Sequence, residues 1–155
     1  MKKKKTSPLL LIGRTEKVKF RDLCFQWIEA KIDTGAYGSC LDCHNIREEF
    51  YNGKKRLCFS LALTNTHSEP IYFESYSKKK VKSSTGEVEL RYLIKTPIEI
   101  AGKKIISTIS LTDRASMKYP VLIGRKLLRN KFIVDVSKIN TGGIPIEEKP
   151  IKHQK

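Results

Sequence analysis

The residues of clearest chemical interest are the carboxylate, hydroxyl and glycine of Asp33-Thr34-Gly35. An apolar, strand-like approach from Phe25 to Ile32 runs directly into this turn. A carboxylate beside a buried strand is costly unless it has a partner or a chemical role. Gly35 frees the backbone for a tight turn, and the Thr34 hydroxyl can hold a neighbouring segment. We therefore expect the rest of the chain to act as a scaffold for Asp33.

If Asp33 acts in acid–base catalysis, it needs a second carboxylate close by. Two carboxylates about one hydrogen bond apart share one proton, so the ionised member activates a water and the protonated one donates a hydrogen bond. The chain has a single Asp-Thr-Gly, and a second apolar strand with a turn, Val121 to Gly124, contains no aspartate. Such a pair therefore requires two chains related by a two-fold axis. We expect a homodimer in which each copy contributes Asp33.

The elements that would position this turn are short strands separated by turn residues. Asn52-Gly53 is a strong hairpin signal, Pro97 indicates an edge or the end of a strand, and Ser39 to Phe50 has the mixed composition of a short helical turn. A long hairpin is expected with its tip near Gly86. The predicted strands are 9–12, 25–32, 57–63, 88–94, 105–111, 121–123 and 132–136.

Many short strands and one helix candidate, Gly124 to Asn130, predict an all-β fold: a closed barrel with one short helix near residues 125–130. The strand and turn at Ile32–Gly35 are echoed at Val121–Gly124, which fits a barrel of two related halves. Residues 1–7 are expected to form a disordered basic arm, residues 8–137 the folded domain and residues 138–155 a tail.

The net charge indicates which classes of partner the protein favours. The 155 residues carry a net charge of +15, from 31 Lys and Arg against 16 Asp and Glu, which favours anionic partners. No run approaches the ~18 apolar residues of a membrane-spanning helix, and the apolar run after Lys2 to Lys5 is too short for a secretion signal. We expect no membrane partner and a cytoplasmic protein with reduced cysteines.

Four cysteines raise the question of a metal or haem site. Cys40-Leu41-Asp42-Cys43-His44 matches the haem attachment pattern, but haem attachment requires export. Zinc would need about two further ligands, and Cys24, Cys58 and His67 have no suitable spacing. Small buried thiols are the better interpretation, and we predict no metal and no cofactor.

Three blocks of sequence resemble the retropepsin-like aspartic protease family. The first is Ala30 to Ala36, and the second is a serine-rich turn followed by glycine and arginine. More closely, the chain is similar to the bacterial and archaeal group named ATP-dependent zinc proteases, which is linked with RimK-type amino-acid ligases. The resemblance covers about residues 9–137 and implies a closed acid-protease barrel. The second and third blocks are carried by Ser83, Ser84, Gly86, Arg91, Leu111–Arg114, Met117, Tyr119-Pro120 and Leu122–Leu128.

The resemblance also implies roles for individual residues. Tyr37 stands where retroviral relatives carry an acidic residue that receives the arginine after the glycine, so the sequence leaves the partner of Arg125 open. From the residues themselves, Asp113 or Asp135 could pair with Asp33 within one chain, but the favoured expectation is that each pairs with Arg114 or Arg125. The implied catalytic residues are Asp33, Thr34 and Gly35, the implied substrate contacts are Ala36, Ser83, Ser84, Gly86, Arg91 and Arg114, and the implied structural residues are Gly124 and Arg125.

The function implied is that of a homodimeric aspartic endopeptidase. The link with glutamate-adding ligases suggests acidic, glutamate-rich peptides or protein tails as substrates, and Lys78 to Lys82 could help to bind them. No Walker-type loop supports dependence on ATP. The alternative is a non-catalytic basic binding module for an anionic partner, such as the ribosome, RNA or an acidic protein, although nucleic acid is the less favoured partner.

Overall fold

The computed structural model describes residues 8–62, 69–82, 85–113 and 118–146. These residues form short and long strands with one four-residue helix, α1 (Arg125–Leu128). The strands are β1 (Leu10–Ile12), β2 (Thr15–Lys19), β3 (Ile28–Ile32), β4 (Ser39–Tyr51), β5 (Lys54–Leu61), β6 (Ile71–Phe73), β7 (Ser77–Lys82), β8 (Val88–Ile100), β9 (Lys103–Thr112), β10 (Val121–Ile123), β11 (Phe132–Val134) and β12 (Ile144–Pro145).

Six of the strands close into a barrel in the order β10-β3-β2-β8-β9-β4, because β4 pairs with β10 and completes the ring. The β10–β3 and β4–β9 pairs are parallel, and the other pairs around the ring are antiparallel. The predicted all-β closed barrel with one short helix is confirmed. Closure leaves these strands without open edges along the ring.

The barrel core is formed by alternate residues along the strands, whose side chains point inward. In β3, Ile28, Ala30 and Ile32 are buried, while Glu29 and Lys31 between them are exposed. Successive side chains of a strand point to opposite faces, so one face of β3 fills the barrel and the other meets solvent. The largest fully buried side chains include Phe20 and Phe59, and their burial stabilises the barrel through the hydrophobic effect.

A small second sheet, in the order β11-β1-β12, lies beside the barrel. Part of the segment expected to form a tail belongs to this sheet, since β12 pairs with β1. The same segment is tied to the barrel by Glu16, which is buried and accepts hydrogen bonds from the backbone N–H groups of Thr141 (3.0 Å) and Gly142 (2.8 Å). Residues 138–146 are therefore packed against the domain.

Two sequence predictions about β4 and β8 are corrected by the structure. The helical turn predicted for Ser39 to Phe50 is wrong, because these residues form one long strand that pairs with β9, β10 and β5. The hairpin predicted at Asn52-Gly53 is confirmed, and both residues have positive φ, as a tight two-residue turn requires. Of the two alternatives for Pro97, the end of a strand is wrong, since β8 continues to Ile100 and Pro97 faces Ile106 of β9. The edge alternative holds, because β8 pairs with β7 at residues 88–93 and with β2 at 99–100, which leaves the other side of Pro97 unpaired among the described residues.

Candidate active site

Asp33 directly follows β3, at the point where the two echoed strands of the sequence meet. β3 and β10 are parallel neighbours in which Ile32 faces Ile123. The backbone N–H of Asp33 donates a 2.8 Å hydrogen bond to the carbonyl oxygen of Ile123. This bond continues the ladder one residue beyond β3 and fixes the backbone position from which the carboxylate projects.

The turn after Asp33 orients its carboxylate. The Gly35 N–H donates to Asp33 Oδ1 at 3.1 Å, and the Ala36 N–H donates to the Asp33 carbonyl at 3.2 Å. A Cβ at Gly35 would lie only 3.3 Å from the same Oδ1, so glycine leaves room for the carboxylate. The Asp33 side chain is thus held by its own turn and is half-buried.

Arg125 ties this turn to α1. Its Nη1 donates a 2.9 Å hydrogen bond to the carbonyl of Thr34, and its backbone N–H donates to the Ala36 carbonyl at 2.8 Å. The partner that the sequence left open is therefore a backbone oxygen of the Asp33 turn. Such a bond from a cationic donor is stronger than one between neutral groups.

The carboxylates expected to pair with arginines have other partners. Asp113 lies 3.4 Å from His44 Nδ1. Asp135 accepts hydrogen bonds from the hydroxyl and from the backbone N–H of Ser137, which hold the pKa of the Asp135 carboxyl below its usual range. A pairing of either with Arg125 is wrong, and Arg114 lies outside the described residues.

A cavity of about 480 Å³ opens beside Asp33, between the end of β3, the start of β4 and the inner face of the β7–β8 hairpin. Its wall contains three cations, Lys79, Arg91 and Lys126, while Asp33 is the one carboxylate among the described residues that line it. A cavity with this balance attracts anionic groups. The remaining lining residues are Ala36, Tyr37, Gly38, Ser39, Cys40, Val81, Leu93, Thr108, Ser110 and Leu122.

Arg91 in this wall has unused hydrogen-bonding capacity at a buried atom. Its Nε is buried and has no hydrogen-bond partner among the residues that the structure describes. Its Nη2 makes one long contact of 3.4 Å with Glu89 Oε2. Because a buried N–H without a partner is costly, Arg91 is suited to receive a carboxylate that enters the cavity.

The structure brings together part of the predicted site. Asp33, Ala36 and Arg91 line the cavity, and Thr34 lines an adjoining groove of about 640 Å³ with Tyr37 and Arg125. Gly86 has a φ of +89° in the turn of the hairpin and is not part of the lining. The predicted contacts Ser83, Ser84 and Arg114 lie outside the described residues.

Sequence reasoning missed several polar residues of the cavity wall. Ser39 is buried, and its hydroxyl accepts a 3.0 Å hydrogen bond from the Gly124 N–H. The Ser110 hydroxyl donates to the Ser39 carbonyl at 3.3 Å, which joins β9 to β4 at the cavity. The available signal was alternation in β9, where Thr108 and Ser110 lie two residues apart and share a face.

The two cysteines of the haem-like pattern lie in different surroundings. Cys40 lines the cavity, whereas Cys43 is buried in the core, where burial raises the pKa of its thiol. Residues three apart on a strand point to opposite faces, so this spacing does not bring both sulfurs to one ligand. Within the described ranges, no group of three or more His, Cys, Asp or Glu side chains is arranged to hold a metal ion.

The comparisons with known proteins agree with the fold. A sequence model of the RimB-like family, described as "Retropepsin-like aspartic endopeptidase RimB", matches residues 11–142. A solved Legionella pneumophila protein of unknown function has a TM-score of 0.70 and 27% identity, over 85% of this chain and 97% of that one. The chain belongs to the RimB-like family of retropepsin-like proteins.

Curated relatives carry a different name. Two Shewanella proteins, from S. halifaxensis and S. pealeana, are each 35% identical over 130 residues and are named "Probable alpha-L-glutamate ligase". The match covers 82% of this chain but only 28% of each relative.

Among the described residues, no helix has the length and hydropathy that a membrane crossing requires.

Proposed function

We propose that the protein is an aspartic endopeptidase whose active site forms from Asp33 of two identical chains. The observation that carries this proposal is the Asp33 turn itself. Its carboxylate follows a buried strand, is oriented by Gly35 N–H and opens into a cavity without a second carboxylate among its described lining residues. A carboxylate pair therefore needs a second copy of the turn.

The proposed mechanism uses the two Asp33 carboxylates with one shared proton. Two carboxylates at hydrogen-bond distance cannot both be ionised, so one retains a proton. The ionised Asp33 takes a proton from the lytic water, and the protonated Asp33 donates a hydrogen bond to the scissile carbonyl. The hydrogen bond from Arg125 to the Thr34 carbonyl supports this chemistry because it holds the turn in place.

Exposure of the turn supports the dimer. Thr34 and Gly35 are exposed, so this side of the Asp33 turn is open to a partner. Tyr37 beside them is 61% exposed, and the adjoining groove continues over Leu128 and Phe132. A second chain would cover the exposed Tyr37 ring, whereas Leu128 and Phe132 are already buried within the single chain.

The proposed substrates are acidic, glutamate-rich peptides or protein tails. Lys79, Arg91 and Lys126 line the cavity beside Asp33, and a bidentate contact from an arginine suits a carboxylate. The names of the relatives support a link with a RimK-type glutamate ligase, whose product would carry such side chains. The side chains of Cys24, Cys40, Cys43 and Cys58 are thiols, which fits a reducing, cytoplasmic setting.

The test is cleavage of a glutamate-rich peptide by the wild-type chain and by Asp33→Asn. Amide in place of carboxylate removes the base and the shared proton, so cleavage should fall by at least about 10³-fold. Asp22→Asn is the matched control, because Asp22 is exposed and lies in a turn away from the cavity lining. Equal cleavage by wild type and Asp33→Asn would contradict the proposal.

The competing function is a non-catalytic binding module for an anionic partner. The observation in its favour is the same cationic wall, together with the net charge of +15. Binding of an acidic peptide with steep salt dependence, and no hydrolysis by wild type at any pH tested, would favour the module over the peptidase.

A further inference from the structure

One carboxylate from the β4–β5 hairpin holds the outer face of the β7–β8 hairpin. Glu48 lies in the half of β4 that pairs with β5. Its Oε2 accepts a 2.6 Å hydrogen bond from the Tyr76 hydroxyl, just before β7. Its Oε1 accepts a 3.3 Å hydrogen bond from the Tyr92 hydroxyl of β8 and forms an ion pair with Lys78 of β7. We call these four residues the Glu48 cluster.

The three donors of the Glu48 cluster also contact one another. Lys78 and Tyr92 face each other in the register of β7 and β8. The rings of Tyr76 and Tyr92 meet edge to face, with centroids 6.1 Å apart, and Lys78 Nζ lies 5.9 Å from the Tyr92 centroid. Bonds that involve a charged group are the stronger ones, so the carboxylate is the centre of the cluster.

The opposite face of the same hairpin is the wall of the Asp33 cavity. The rungs on either side of Lys78–Tyr92 are Ser77–Leu93 and Lys79–Arg91. Since neighbouring side chains on a strand point to opposite faces, Lys79, Arg91 and Leu93 line the cavity while Lys78 and Tyr92 contact Glu48. Glu48 therefore contacts the face of the β7–β8 hairpin that lies opposite the cavity, and it does not line the cavity itself.

We propose that Glu48 is a positioning residue, which fixes the β7–β8 hairpin so that Arg91 and Lys79 face Asp33. The proposal rests on the proposed function, because the cavity must receive a substrate for the position of its wall to matter. It assigns a role in catalysis to a residue that touches neither Asp33 nor the cavity. Loss of the Glu48 carboxylate should loosen the hairpin and misplace the cations that bind substrate.

The experiment compares Glu48→Gln with Glu99→Gln in the full chain. Glu99 is a matched control because it lies in β8, accepts a 2.9 Å hydrogen bond from Arg21 and has a side chain 19% exposed, against 20% for Glu48. Amide hydrogen exchange is measured over residues 77–82 and 88–93, together with kcat and KM for a glutamate-rich peptide. A double-mutant cycle with Tyr76→Phe isolates the contact between Glu48 and Tyr76.

Glu48→Gln should speed exchange of these amides roughly tenfold, as expected for loss of a bond to a charged group. It should also raise KM more than it lowers kcat, whereas Glu99→Gln should change neither exchange nor kinetics there. Unchanged exchange in Glu48→Gln would overturn the proposal. Faster exchange in Glu48→Gln combined with kcat and KM equal to those of Glu99→Gln would also overturn it, because the cluster would then contribute only to stability. A wild type that cleaves no such peptide would contradict the proposed function, while the exchange data would still decide whether Glu48 holds the hairpin.

Discussion

Gly124 packs against the backbone of Gly38 without room for a side chain. A Cβ at Gly124 would lie 2.7 Å from the carbonyl carbon of Gly38 and 2.7 Å from the carbonyl oxygen of Tyr37. Both neighbours are backbone and belong to the segment between the Asp33 turn and β4. This close approach brings the start of α1 against the turn, so that Arg125 can reach the Thr34 carbonyl.

Gly124→Ala should therefore displace the turn as well as destabilise the fold. Overpacking against backbone typically costs roughly 1–3 kcal/mol, and denaturant unfolding measures the loss. Gly38→Ala is the control from the other side of the same contact, because a Cβ at Gly38 would meet nothing within 4 Å. Equal losses in the two variants would contradict the account of this contact.

Replacement of Arg125 by methionine should affect activity more than stability. The side chain is exposed, and its loss removes one hydrogen bond to the Asp33 turn, worth about 1–3 kcal/mol at most. Because misplacement of a catalytic group by a fraction of an ångström is costly, kcat/KM should fall roughly 10- to 100-fold. Arg14→Met is the control, because Arg14 is also exposed and its Nη1 donates a 3.2 Å hydrogen bond to a backbone carbonyl, that of Val136. Arg125→Met with wild-type kcat/KM would argue against a role for this bond.

The Glu48 cluster should make the stability of the folded protein depend on pH in the acid range. The hydrogen bond from Lys78, followed by that from Tyr76, lowers the pKa of the Glu48 carboxyl from 4.5 to about 2, and the bond to Glu48 raises the pKa of Tyr76 to about 12. A lowered pKa stabilises the folded state above pH 4.5, and this stabilisation disappears as the pH falls from about 4.5 to about 2.

Thermal unfolding from pH 2 to pH 7 tests this dependence. The difference in Tm between wild type and Glu48→Gln should be constant above about pH 5 and should shrink toward zero near pH 2. Lys78→Met removes the largest cause of the shift, so the acid-dependent part should be smaller in that background. A difference in Tm that does not change with pH would be the contrary result.

Glu16 should be essential for docking of the C-terminal segment. Glu16 is 2% exposed, and its carboxylate accepts hydrogen bonds from the backbone of Gly13, Thr141 and Gly142 and from the Thr141 hydroxyl. An amide nitrogen cannot accept, so Glu16→Gln should lose roughly 1.5–3 kcal/mol of unfolding free energy.

The control for Glu16 is Glu29→Gln, at an exposed position of β3, which should stay within about 0.5 kcal/mol of wild type. Amide exchange at Thr141 and Gly142 should rise in Glu16→Gln before the barrel unfolds. If both variants have the same stability, the carboxylate does not hold this segment.

The features that could be predicted from the sequence are those determined by local patterns. The Asp33 turn, the strand before it and the Asn52-Gly53 hairpin each follow from residues within a few positions of one another. β4 was missed because its pattern is irregular. The register with β5 shifts between His44 and Arg47, and such a bulge interrupts the two-residue alternation by which a strand is recognised.

The long-range contacts of the site could not be predicted in the same way. Glu48 meets Tyr76 and Tyr92 across 28 and 44 residues of chain, so only the folded register brings them together. The partner of Arg125 was missed for a related reason, since a backbone carbonyl has no signature in the sequence. The cationic wall beside Asp33 depends likewise on which face of β7 and β8 turns inward.

Each proposed active site needs Asp33 from two chains, and mixing of subunits tests this requirement directly. Wild type and Asp33→Asn are mixed in known proportions at constant total protein, allowed to exchange subunits, and assayed on a glutamate-rich peptide. Because only wild-type pairs would carry both carboxylates, we expect activity to follow the square of the wild-type fraction. Activity that falls in direct proportion to the wild-type fraction would contradict it, since one Asp33 would then suffice.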